Sequence, residues 1–108
     1  MQVIQKQEIM DNEKKQNILE LLADGYSKQI LHCILEKPKS ALSISTEKNI
    51  PVSTIYRRLQ TLHTAKLVSV SGCISSGGKK IFLYKSKIRS ISLNCDLEGT
   101  IVELIQNP

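Results

Sequence analysis

Apolar residues recur along the first half of the chain at the period of an α-helix and along the second half at the period of two. Ile18, Leu19, Leu21 and Leu22 gather on one side of a helix predicted over 11–23, and Asp24-Gly25 supplies its stop. Ser27 offers an N-cap for a second helix, in which Ile30, Leu31, Ile34 and Leu35 repeat before Lys37-Pro38 ends it. Ser40 caps a short third helix over 41–48 that turns Ala41, Leu42 and Ile44 to the core. Asn49 is a residue type that accepts left-handed backbone at a helix end. Pro51 opens a fourth helix, about 52–65, where a missing N–H costs nothing. Its Val52, Ile55, Leu59, Leu62 and Lys66 share one face. At about 100° per residue, Arg57 projects almost directly away from that stripe, with Ser53, Gln60, Thr61 and Thr64 around it and Thr54, Tyr56 and Arg58 on the flanks.

Beyond residue 66 the pattern reads as strands. Leu67, Val68 and Val70 lead to Cys73 and Ile74, Ser75-Ser76-Gly77-Gly78 breaks the chain, and Ile81, Phe82, Leu83 and Tyr84 resume it. This predicts a β-hairpin with a glycine-rich, basic-shouldered tip. A further strand pair, 88–95 and 100–105, flanks a turn at Asp96-Leu97-Glu98-Gly99. Residues 1–10 alternate polar and scattered apolar positions and are expected to fray or to extend the first helix. The predicted class is α+β: four helices, a hairpin and a C-terminal strand pair.

The chain has 108 residues, room for one domain, and its 41% hydrophobic and 23% charged residues suit a folded, water-soluble protein. No apolar run approaches the roughly 18 residues of a membrane span, and the N-terminal stretch is too polar for a secretory signal, so a cytoplasmic location is expected. Charge adds more. Residues 1–50 hold seven bases and seven acids, whereas residues 51–90 hold Arg57, Arg58, Lys66, Lys79, Lys80, Lys85, Lys87 and Arg89 with no acid at all. Residues 91–108 hold only Asp96, Glu98 and Glu103, leaving a net charge of +5. An acid-free segment of this kind either spreads over solvent or faces a polyanion, and nucleic acid is the commonest one.

The stretch from Lys37 to Gly72, KPKSALSISTEKNIPVSTIYRRLQTLHTAKLVSVSG, resembles the core of ArsR-type winged helix-turn-helix transcriptional regulators, archaeal ones above all. The segment from Ile50 to Leu59 is similar to the start of their recognition helix, and the resemblance extends over roughly residues 12–87, with 88–108 as C-terminal strands. It implies one winged-helix domain over 1–108, the fourth helix in a DNA major groove and the loop 74–80 as a wing on the backbone. Lys66 departs from the pattern, since such proteins often carry glycine at this helix stop.

Base edges are read best by Arg on guanine, Gln on adenine and Ser or Thr on either, so Ser53, Thr54, Arg57, Gln60 and Thr61 are the base-reading candidates. Ser43, Thr46, Tyr56, Arg58, Lys79 and Lys80 are the phosphate candidates. Two of these have a structural alternative: Tyr56 packed beneath the wing, and Arg58 paired with an acid of helix one or two. Neutralising about six phosphates would make log affinity fall with log salt at a slope near −5. A homodimer is expected, through residues 9–24 and 88–106, with Ile9, Ile18 and Leu21 or Leu22 as its apolar surface, the alternative being that all of these side chains belong to the monomer core.

The reading is of a sequence-specific double-stranded DNA-binding regulator without catalysis, cofactor or metal. No phosphate loop, nucleophile elbow or paired-carboxylate motif occurs, and Cys33, Cys73, Cys95, His32 and His63 lack ligand spacing. Cys33 reads as a small core residue, with Cys73 left as a possible site of oxidation. Few aromatic residues argue against RNA. The alternative is a winged-helix protein–protein interaction module of a transcription or chromosome complex.

Overall fold

Three hydrogen bonds at one aspartate organise the first helical pair. The computed structural model describes residues 5–108, in which α1 runs Asn12–Ala23 and α2 runs Gly25–Cys33. Asp24 closes α1 with its own N–H on the Leu21 carbonyl and caps α2 by accepting from the Ser27 N–H and hydroxyl. The cap of α2 is therefore Asp24 and not Ser27, which lies buried in the first turn. The helix also ends at Cys33, ahead of Lys37-Pro38. The carbonyls of Ile34 and Leu35 are taken by the Ser86 N–H and the Asn107 side chain, so tertiary bonds replace another helical turn.

Ser40 caps α3 (Ala41–Lys48), accepting from the Ser43 N–H at 3.1 Å, and Asn49 ends it in the left-handed region at φ 54°. Ala41 and Ile44 are buried, but Leu42, expected in the core, stands exposed because it lies a step around the helix from both. Three residues later α4 (Val52–Thr64) begins, burying Ile55, Leu59 and Leu62. Val52 is largely exposed, and Lys66 lies beyond the helix end.

Five strands complete the described residues. β1 (Lys6–Ile9) precedes the helices, while β2 (Val68–Ile74), β3 (Lys80–Ser86), β4 (Ile88–Cys95) and β5 (Thr100–Gln106) follow them. β2 and β3 form the expected hairpin, in register from Val68↔Ser86 to Ile74↔Lys80. Lys39 adds a short third rung through two backbone bonds with Tyr84. β4 and β5 pair antiparallel across the Asp96–Gly99 turn, where the Asp96 carboxylate accepts from the Glu98 and Gly99 N–H groups. β1 corrects the expectation for residues 1–10: positions 6–9 neither fray nor extend α1 but pair with β5, giving the order β1-β5-β4. Positions 1–4 lie outside the described residues.

The architecture is α+β, four helices followed by antiparallel strands in a winged-helix-like arrangement, with β1 added. One core unites it. Ile18, Ile30, Ile34, Ile44, Ile55, Leu59 and Leu62 from the helices meet Leu67, Val68 and Val102 from the strands, and burying each such side chain contributes roughly 1.5–3 kcal/mol. None of the described helices is long and apolar enough to cross a membrane.

Candidate nucleic-acid interface

α4 presents the polar face that its periodicity predicts. With Ile55, Leu59 and Leu62 fully buried, Ser53, Arg57, Gln60 and Thr61 are exposed on the opposite side, and Thr54 is half-buried at the flank. Pro51 provides no side-chain cap; the Thr54 N–H bonds the Pro51 carbonyl, and the Val52 and Ser53 N–H groups are left at the positive end of the helix dipole. The Thr61 hydroxyl donates to the Arg57 carbonyl at 3.2 Å, and its methyl and remaining lone pair stay on the surface. Ser43 and Thr46 are exposed on α3. Thr46 donates back to the Leu42 carbonyl, and Ser43 accepts from the Ser40 hydroxyl, so each hydroxyl is already half engaged within its own helix.

Of the two placements weighed for Arg58, the ion pair is the one observed. Its Nε lies 2.8 Å from Asp24 Oδ2, but the N–H does not point along the line of a hydrogen bond, so the contact is one of charge. Burial pushes the Asp24 carboxyl up, yet the two Ser27 hydrogen bonds and the Arg58 charge outweigh it and hold the group below its ordinary value of 3.8. Tyr56 is 55% exposed. The phenol of Tyr84 is pushed above its ordinary range by burial first and by the neighbouring Tyr56 second.

The hairpin tip is built by Ser75, which accepts from the Gly78 N–H through its carbonyl and from the Lys79 N–H through its hydroxyl. Gly78 sits at φ 80°, a conformation that glycine adopts without a Cβ penalty. Lys79 and Lys80 flank this turn on its outgoing side. Lys80 folds back over Phe82, its Nζ 5.2 Å from the ring centroid, a cation–π contact that holds the ammonium along the hairpin.

Sequence reasoning did not foresee the exposed apolar positions of the hairpin. Val70, Ile74 and Phe82 alternate on the face continuous with buried Val68, and emerge into solvent where the hairpin outruns the helices. Their period-two pattern was visible, but the distance the hairpin projects was not. Of the two placements weighed for Ile9, Ile18 and Leu21, the monomer core is the one observed, and within 9–24 and 88–106 the exposed large apolar residues are Met10, Leu93, Leu97 and Ile101. Among the described residues, no three His, Cys, Asp or Glu side chains converge as a metal-binding group. No protein-family model matches this chain, and no curated protein matches it by sequence.

Proposed function

We propose that the protein is a sequence-specific double-stranded DNA-binding transcriptional regulator, similar in plan to ArsR-type winged-helix regulators and acting as a homodimer without catalysis. The observation that carries this reading is the exposed face of α4, where Ser53, Arg57, Gln60 and Thr61 stand together beside an uncapped helix start. A major groove about 12 Å wide accepts one such helix, and these side chains match its donor and acceptor pattern. Lys79 and Lys80 at the hairpin tip supply charge to the adjacent backbone, and Ser43, Thr46 and Tyr56 supply hydroxyl groups.

The test is fluorescence anisotropy of labelled duplexes from the chain's own promoter region over a salt series, with wild type and Arg57→Ala. The expected result is sequence-selective, salt-sensitive binding, with the variant losing about 1–3 kcal/mol of discrimination at one base position. Absence of binding to any duplex at low salt overturns the reading.

The exposed Val70, Ile74 and Phe82 favour a second reading, a winged-helix module that docks on a protein partner through the hairpin. In that case Phe82→Ser weakens partner capture while Arg57→Ala does not.

A further inference from the structure

Four lysines surround one cleft at the base of the hairpin. Lys14 from α1, Lys66 after α4, Lys85 from β3 and Lys87 between β3 and β4 line a cavity of about 440 Å³ where the hairpin meets the three-stranded sheet. Among the described residues, no Asp or Glu lines it, and no ion pair engages any of the four. Four like charges around one concavity repel one another, and a bound anion relieves that repulsion.

The wall chemistry narrows the ligand. Ile9, Ile88 and Leu104 give the cleft an apolar floor. Ser86 and Asn107 are already committed: the Ser86 hydroxyl donates to the Ile88 carbonyl, and the Asn107 amide to Leu35 and Ser86. Gln7 and Gln106 are exposed at the rim. No arginine lines the cleft, so the planar fork that grips carboxylate and phosphate alike is absent, and recognition falls to point-charge ammonium groups, which favour the ligand of highest charge density, a compact phosphate. The volume falls within the usual range for small-molecule sites, about 300–1,000 Å³.

This surface is separate from the hairpin-tip part of the candidate DNA face. The pair Ser69↔Lys85 lies five register positions from Ile74↔Lys80 at the tip, roughly 17 Å at about 3.4 Å per residue. We propose that the cleft binds a small phosphate-bearing organic anion about the size of a nucleotide. The site does not rest on the DNA-binding reading. It joins the two sheets where Lys87 is the only residue between β3 and β4, and where the Lys87 N–H bonds Leu67 and its carbonyl accepts from Asn107.

The experiment uses the full chain without DNA and three probes: ATP, inorganic pyrophosphate and citrate. ATP and pyrophosphate at about a hundredfold excess over Kd are expected to raise Tm by about 5 °C or more. Citrate is expected to do so far less. In ¹H–¹⁵N spectra the ATP-induced shifts should fall on the amides of Ser69, Lys85 and Gln106, and spare Gly77 and Gly78. Lys85→Gln/Lys87→Gln should weaken ATP at least about tenfold, Lys87→Gln alone should weaken it measurably, and the charge-matched Lys28→Gln/Lys37→Gln should not. Shifts confined to the hairpin tip, equal stabilisation by citrate, or no stabilisation by any probe would overturn the proposal.

Discussion

Lys66 is a lysine in a glycine's conformation. Its φ is 63°, and it closes α4 through a paired arrangement in which the Leu67 N–H bonds the Leu62 carbonyl and the Lys66 N–H bonds that of His63, each at 3.0 Å. Both apolar partners of that closure, Leu62 and Leu67, are fully buried, so the helix end is held by packing despite the side chain. Left-handed backbone costs an L-residue about 1–2 kcal/mol, and Lys66→Gly is expected to stabilise the fold by about 1 kcal/mol, read as a higher urea midpoint at unchanged slope. Asp24 gives a second residue-level prediction. Because its folded pKa is depressed, its contribution is complete well above pH 3.8 and is lost as pH falls through that value and below. Asp24→Asn, which keeps the cap, should flatten the acid side of the Tm profile below about pH 5, while Asp24→Ala should cost about 1 kcal/mol more through loss of the cap. Cys33 differs from its two counterparts: burial first and the Glu47 hydrogen bond second push its thiol up, whereas Cys73 and Cys95 are exposed. A thiol reagent is therefore expected to label Cys73 and Cys95 in the native protein and Cys33 only on unfolding.

Among the elements, β1 is the one whose removal is most informative. Ile9 is its single buried side chain, opposite Val102. Ile9→Ala should cost about 2–4 kcal/mol in urea unfolding if β1 is part of the cooperative fold, and almost nothing if it is not. The helices and both hairpins were legible in the sequence because local chemistry defines them: Ser40 and Asn49 bracket α3, Pro51 starts α4, and Asp96 with Gly99 turns β4 into β5. β1 was illegible because three of its four residues, Lys6, Gln7 and Glu8, are polar and exposed, so no alternation marks it. The end of α2 was misplaced for a related reason: Lys37-Pro38 is a valid local stop, but Ser86 and Asn107 intercept the carbonyls first. At the candidate site, the outward face of α4 could be read from periodicity alone. The Asp24–Arg58 pair could be anticipated only as an option, because it depends on how α4 crosses the α1–α2 corner.

Taken as a whole, the molecule is extended. Its principal extents are 55 × 35 × 20 Å, and its radius of gyration of 15.1 Å exceeds the roughly 13 Å of an ordinary domain of this length. The shape also divides a charge that the sequence presents as one block. Of the eight bases in residues 51–90, Arg58 pairs with Asp24 and Arg89 with Glu36, while Lys66, Lys85 and Lys87 line the cleft. Arg57, Lys79 and Lys80 remain for the candidate DNA face. At about −0.9 per phosphate contact, three cations give a salt slope near −3 for one protomer and near −5 for a dimer, so the slope measured beside the stoichiometry tells how many copies sit on the duplex.

Joining the first described strand to the last has a consequence for how the protein is made. Ile9 leaves the ribosome long before Val102, about ninety residues later, and a contact of that separation forms only after β5 has been synthesised. The helices have their partners early. β1 must wait, and until β5 arrives the apolar surface that Ile9 and Val102 finally share stays open to whatever else the cell offers.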